Sequence, residues 1–343
     1  MDQRALSERL GVETGKETLR GCFKETALDC GEGRAVTFFR EDRVETVISY
    51  RELDQKANRL ANTFLDLGVR KGDRVVFYLE KCLLFIAAHL AVQKIGAVSV
   101  PLNPGFKKSE MAYLLHDAEA KMVLTGEAQE AVIRDVEPGL KRMVVDTRKP
   151  FQALEFFLAA PDEIPPIEVG PDDPGLIIYT SGTTGKPKGA VLTQKNLVRD
   201  ARNIIKIWEV RDSDVLCHAL PLFHVHGLCF ALHTALIAGS RVLLLDQFSP
   251  QRVIRMLAKK TGDHVCTAFM AVPSMYGRMM DAVAEEVFDF SHVRLWTSGS
   301  APLLPGDFKR IKRIFGKEPV EREGMSETGM NFSNPLRLSL IHI

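Results

Sequence analysis

Leu176-Ile-Ile-Tyr-Thr-Ser-Gly-Thr-Thr-Gly-Lys-Pro-Lys-Gly-Ala-Val-Leu192 runs from one apolar stretch, through a loop of glycines, hydroxyls and lysines, into another. Leu176–Tyr179 reads as a short buried strand and Thr193 as the cap of a following helix, so buried elements hold the loop at both ends. Gly182, Gly185 and Gly189 let backbone amides approach a ligand closely, and Thr180, Ser181, Thr183 and Thr184 add hydroxyl donors. Lys186 and Lys188 neutralise charge. Together these groups suit a polyphosphate. The loop is not the common P-loop, because G-x-x-x-x-G-K-[ST] requires glycine where Thr180 stands and a hydroxyl residue where Pro187 stands.

Working outward, Ser49-Tyr-Arg-Glu52 reads as a capping box opening an amphipathic helix with Leu53, Ala57, Leu60, Ala61 and Phe64 on one face and Gly68 as its stop. Val75–Leu79 reads as a buried strand, Leu83–Ile95 as a largely buried helix and Ala97–Leu102 as the next strand. A helix is expected near Ser109–Asp117. Further strands are expected at Lys121–Thr125, Arg142–Val145, Val215–Leu220, Arg241–Leu245, His264–Phe269 and Val293–Ser298. Strands alternating with helices imply α/β layers with mostly parallel sheet, since parallel neighbours need crossover connections. The Pro- and Asp-rich stretch 159–174 is the linker candidate.

Composition narrows the class. A chain of 343 residues at 45% hydrophobic content buries a large core, and 45 Lys and Arg against 44 Asp and Glu leave a net charge of +1. Such a balance draws no nucleic acid or anionic membrane by its summed field. The six cysteines, Cys22, Cys30, Cys82, Cys217, Cys229 and Cys266, show no disulfide framework and no C-x-x-C pair, as in a reducing cytosol. Met1–Leu10 lacks the apolar core of a signal peptide, and Cys82–Val92 falls short of the ~20 residues that span a bilayer. A cytoplasmic location without a transmembrane segment is the expectation.

Tyr179–Gly189 resembles the signature of the AMP-forming acyl-CoA synthetases and related adenylate-forming enzymes. Thr297-Ser-Gly-Ser-Ala-Pro302 resembles their adenine-contacting loop, and Glu321-Arg-Glu-Gly-Met-Ser-Glu-Thr328 their Y-G-M-T-E motif, in the same order. The resemblance covers roughly Thr37–Leu336. It implies the large N-terminal domain of that superfamily, layered α/β sheets with a small β-barrel part, and ATP, Mg²⁺ and CoA as cofactor and cosubstrates. Thr180, Ser181, Gly182, Thr183, Thr184, Gly185, Lys186 and Lys188 would then hold the ATP phosphates. Gly299, Ser300 and Ala301 would line the adenine pocket, with Gly324, Met325 and Ser326 also at the nucleotide. Glu327 would hold Mg²⁺, and Thr184, Lys188 and Glu327 would serve catalysis. One departure stands out: Glu323 occupies the place of an aromatic residue that stacks on adenine, so either nucleotide affinity is lower here or the residue is a sequence error.

By the same resemblance the reaction is activation of a carboxylic acid as its acyl adenylate, followed by transfer to CoA. Pro221-Leu-Phe-His-Val-His-Gly227 is similar to the segment that sets a histidine, here His224, beside the acyl and pantetheine passage. That string, Gly329–Pro335 and Val272-Pro-Ser-Met-Tyr-Gly-Arg278 resemble the malonyl-CoA synthetase branch, where Arg278 would face the distal carboxylate of malonate or a related dicarboxylate. A solvated helix arginine is the plainer reading of the same residue. The alternatives are a medium- or long-chain fatty-acyl-CoA synthetase, a nucleotide-binding fragment without catalysis, and a luciferase-like or peptide-synthetase adenylation domain. The expected organisation is a lead-in at 1–36, the adenylation domain at 37–336 and a tail at 337–343. Codons for Leu338–Ile343 can be written as a transposase adapter end, so the tail reads as non-native, with a short genuine strand as the alternative. The small C-terminal domain, which supplies the superfamily's bridging lysine, is expected to be missing.

Overall fold

Alternation along the strands divides the apolar side chains between two cores. In β3 (Arg74–Tyr78), Val75 and Phe77 join the larger core while Val76 and Tyr78 join the smaller. In β5 (Ala120–Gly126), Met122 and Leu124 face the first and Val123 the second. A sheet with both faces buried needs helices on both sides, as parallel crossovers supply. The computed structural model describes residues 17–154, 160–181, 185–283 and 287–336.

These strands belong to a six-stranded sheet ordered β6 (Lys141–Val145), β5, β3, β4 (Val98–Pro101), β7 (Pro174–Thr180) and β8 (Lys188–Thr193). A second sheet has eight strands, ordered β14 (Gly329–Ser333), β13 (Val320–Met325), β12 (Leu295–Ser298), β11 (Ala268–Ala271), β9 (Val215–His218), β10 (Arg241–Leu245), β1 (Arg34–Arg40) and β2 (Arg43–Ser49). Pairing is parallel except at the hairpins β1–β2, β7–β8 and β13–β14. Between the sheets lie helices α1 (Leu19–Cys30), α2 (Tyr50–Asp66), α3 (Leu83–Lys94), α6 (Gln194–Ile207), a π-helix (His226–His233) and α7 (Thr234–Ala238). α2 packs on β1, β2 and α3, and α3 packs on β4; α6 packs on β7, β8 and the π-helix, and the π-helix on β9. On the outer face of the smaller sheet, α4 (Lys108–Asp117) and α5 (Glu127–Val136) supply Met111, Leu114 and Ile133 to the second core. The remaining helices, α8 (Pro250–Ala258), α9 (Pro273–Val283) and α10 (Pro305–Phe315), form a contiguous layer that meets the larger sheet at β9.

The Ser49 capping box is present: its Oγ accepts from Glu52 N at 3.2 Å, and Glu52 Oε2 accepts from Ser49 N at 2.8 Å. Gly68 closes the helix at φ 89°. Three expectations change. The lead-in is integral over its described part: Leu19 and Phe23 of α1 are buried, and β1 begins at Arg34. The stretch 160–173 joins β6 to β7 of one sheet and so separates no domains. It is tied down by Asn62 Nδ2, which donates to the carbonyls of Pro161 and Glu163, both at 2.8 Å. The strand expected at His264–Phe269 lies at Ala268–Ala271; just before it Thr267 Oγ1 accepts from Val215 N and donates to Asp214 Oδ1. The two sheets contain every strand among the described residues, and β14 ends an open hairpin with Phe332 74% exposed. The tail at 337–343 lies outside the described residues.

Candidate active site

The candidate residues gather where the edges of the two sheets meet. β7 delivers Thr180 from the smaller sheet, and the turn between β13 and β14 delivers Ser326 and Glu327 from the larger. Thr180 Oγ1 donates to Glu327 Oε1 at 3.2 Å, a link across 147 residues of sequence. Gly182, Thr183 and Thr184 lie outside the described residues. Ser181, Gly185, Lys186 and Lys188 are exposed around them, and neither lysine forms an ion pair among the described residues. Gly185 has φ 86°, the left-handed region in which glycine is at ease.

Helix α4 buttresses the stem of this loop, which sequence reading missed. Tyr113 OH donates to the Pro187 carbonyl at 2.9 Å, its ring lies 5.5 Å from Lys186 Nζ, and Tyr179 OH donates to Asp117 Oδ2 at 2.7 Å. Burial, reinforced by Asp117, raises the Tyr179 phenol so that it stays a donor. The only sequence signal was the i, i+4 spacing of Tyr113 and Asp117 on an expected helix.

Gly299, Ser300 and Ala301 follow the C-terminal end of β12, the end of parallel strands where ligands bind in open α/β sheets. Ser300 sits at φ 68°. A Cβ on Gly299 would fall 2.4 Å from Arg322 Nε, so a larger residue here would displace that guanidinium. Arg322 Nη2 donates to Ser300 Oγ at 3.2 Å, and Ser300 Oγ lies 3.3 Å from His226 Nδ1. Gly324 meets the opposite limb of its hairpin, where a Cβ would lie 2.6 Å from the Gly329 carbonyl. Met325 is exposed at the end of β13, and Glu323 is exposed with Oε2 accepting from Asn331 Nδ2 at 3.2 Å. No aromatic face occupies the Glu323 position.

A cavity of about 350 Å³ opens beside Ser326 and Glu327, walled by Asp200, Cys229, Phe230 and Met330 among others. Asp200 Oδ1 accepts from Met330 N at 3.0 Å, and burial raises its carboxyl above the ordinary range. A second cavity, about 260 Å³, is lined by Lys81, Phe223, Asp246 and Phe248. Lys81 Nζ donates to the Leu220 carbonyl at 3.0 Å, and burial lowers its pKa to about 7. The two residues expected at the acid stand near this cavity: His224 is exposed with its ring 4.5 Å from that of Phe223, and Arg278 is exposed with its guanidinium 5.0 Å from the Phe248 ring.

For a hard divalent cation the fit is with oxygen: the Glu327 carboxylate beside the Thr180 hydroxyl offers donors that magnesium accepts, with ligand phosphates completing its shell. Among the described residues no cluster of three His, Cys, Asp or Glu forms a self-sufficient metal site. No described helix is long and apolar enough to cross a membrane.

The mitochondrial malonate-CoA ligase ACSF3 of Mus musculus is 34% identical over 307 residues, covering 84% of this chain and 52% of that protein. The malonate-CoA ligase of Arabidopsis thaliana is 32% identical over 325 residues, 84% of this chain and 53% of that one. The chain thus spans about half the length of these curated relatives. The crystal structure of ATP-bound MatB from Rhodopseudomonas palustris superposes with a TM-score of 0.84 at 32% identity, covering 94% of this chain and 63% of that one. Residues 23–340 match the AMP-binding enzyme family, and the chain belongs to that family.

Proposed function

We propose that this chain is the nucleotide- and acid-binding part of an AMP-forming carboxylate-CoA ligase whose acid is malonate or a related short dicarboxylate. The carrying observation is the Thr180–Glu327 contact, which joins a glycine, hydroxyl and lysine loop to an acidic turn from the other sheet. The similarity to two malonate-CoA ligases supports the choice of acid over a fatty-acyl substrate.

In the reaction an acid oxygen attacks the α-phosphorus of ATP and pyrophosphate leaves; the CoA thiol then attacks the acyl carbon and AMP leaves. The loop from Thr180 to Lys188 would hold the leaving phosphates and Ser326 would contact the nucleotide near the α-phosphate, with positioning supplying much of the gain. Glu327 would hold the magnesium ion, which would supply charge neutralisation on the phosphates.

Calorimetric titration of this chain with Mg-ATP, and then with malonate in the presence of a non-hydrolysable ATP analogue, tests the reading. Both are expected to bind, and Lys188→Ala is expected to weaken Mg-ATP by about 10-fold or more through loss of a charge-assisted bond. Absence of Mg-ATP binding at millimolar concentration, or Lys188→Ala binding as tightly as wild type, rejects the proposal.

A further inference from the structure

Glu327 stands in an exposed turn between β13 and β14, and among the described residues its carboxylate has a single partner, the neutral Thr180 hydroxyl. An exposed side chain with one such bond keeps much of its rotamer freedom, so its aim depends on the backbone that carries it. That backbone is held from behind by α6. Asp200 Oδ1 accepts from Met330 N at 3.0 Å. Gly329 lies against the same carboxyl: it has φ 76°, and a Cβ there would fall 2.9 Å from Asp200 Oδ1 and 3.0 Å from its Cγ. Gly329 pairs with Met325 and Met330 with Gly324, the two pairs that close the turn, so Asp200 acts where the turn begins.

The helix grips the hairpin a second time. At its C-cap, Trp208 Nε1 donates to Ser333 Oγ at 2.8 Å, at the end of β14 away from Glu327. At its other end α6 starts from the Thr193 cap, directly after β8, the strand that leaves the phosphate loop. One helix therefore ties the acidic turn to the stem of the loop, and of its two ties only Asp200 lies at the turn. Burial raises the Asp200 carboxyl above the ordinary range, while the Met330 N–H and Arg322 favour its charge. In either protonation state it presents an acceptor oxygen to Met330 N.

We propose that Asp200 is the positioning residue of the acidic turn, setting the direction of the Glu327 carboxylate through the Met330 amide. The inference rests on the nucleotide-binding reading above, in which Glu327 would hold magnesium. Asp200 itself touches neither the ion nor the phosphates in this role. Magnesium demands near-octahedral geometry, so a tilted carboxylate loses the ion while the contacts of the loop with phosphate remain.

The test measures dissociation constants for ATP on the 343-residue chain, with magnesium and in excess chelator, together with hydrogen exchange at the Met330 amide. The variants are Asp200→Ala, Asp200→Asn, Glu327→Gln and the Asp200→Ala, Glu327→Gln double. Asp200→Ala is expected to weaken Mg-ATP about fivefold, to leave metal-free ATP within about twofold and to speed exchange at Met330, as loss of one buried acceptor does. Asp200→Asn keeps an acceptor oxygen and is expected to match wild type in all three. Asp200→Ser, polar but too short to reach Met330 N, carries the same expectation as Asp200→Ala and guards against a folding failure. The double variant is expected to bind no more weakly than Glu327→Gln alone, because both changes remove one contact. Equal losses for Mg-ATP and metal-free ATP would assign Asp200 a general structural role and overturn the inference, as would wild-type Mg-ATP binding in Asp200→Ala and Asp200→Ser. A Glu327→Gln effect without an Asp200 effect removes this inference alone, whereas Glu327→Gln binding Mg-ATP as tightly as wild type sinks the metal reading and the inference with it.

Discussion

Glu323 illustrates what a single side chain decides. Its carboxylate is exposed and tied to Asn331 across the hairpin, at the position where the resemblance to adenylate-forming enzymes implies a ring stacking on the base. Replacing it with Tyr supplies a π-face that interacts with a base by about 1 to 3 kcal/mol. Glu323→Tyr is therefore expected to tighten Mg-ATP about fivefold or more, read by calorimetry against Glu323→Gln, which removes the charge without adding a ring. Equal gains in the two variants would assign the effect to charge alone. The departure itself was legible in the sequence, because a motif position names the residue type it lacks. The hydrogen bond to Asn331 was not, since it depends on the register of β13 against β14.

Among the elements, the π-helix His226–His233 is the one whose placement depends on a single backbone approach. A Cβ on Gly227 would lie 2.1 Å from the Pro221 carbonyl and 3.2 Å from Leu220 Cβ, so the helix can sit on the preceding loop only as glycine. The close approach also lets His218 Nε2 donate to the Gly227 carbonyl at 2.8 Å, and it sets His226 beside Ser300. Gly227→Ala is expected to destabilise the fold by about 1 to 3 kcal/mol or more, as overpacking does, and to weaken malonate along with it. Chemical denaturation and acid binding check this. An unchanged midpoint would show that the loop yields at no cost. The string Phe-His-Val-His-Gly marked this place, but its helical type was invisible, since an extra residue per turn is chosen by tertiary packing.

At the scale of the whole molecule, the layer between the sheets buries four neutral histidines, His89, His218, His226 and His233. His89 Nε2 and His233 Nε2 are 2.8 Å apart, so one donates and the other accepts, and a second proton there would set two N–H groups face to face. Burial lowers the pKa of both His89 and His218 from 6.5 to about 3. Between those values the unfolded chain binds more protons, so the stability these residues contribute is complete above about pH 6.5 and is lost as pH falls. Each costs about 1.4 kcal/mol per pH unit in that window. The melting temperature is thus expected to drop steeply from pH 6.5 to 5, where carboxylates of ordinary pKa still hold their charge, and the drop should shrink in His89→Gln. A flat profile across that range would contradict the burial of neutral rings. The sequence by itself determined the α/β class, most strands and helices, and a candidate phosphate loop, because hydrophobic period, capping and glycine placement are local properties; its acidic counterpart entered only through the resemblance to adenylate-forming enzymes. Only the tertiary structure decided that Thr180 meets Glu327, that α4 braces the loop, that residues 160–173 cross within one sheet, and that Arg322 is buried, with no ion-pair partner among the described residues, while Arg278 is exposed. Those facts follow from the order of strands and the meeting of sheet edges, which join residues more than a hundred positions apart and leave no periodic trace along the chain.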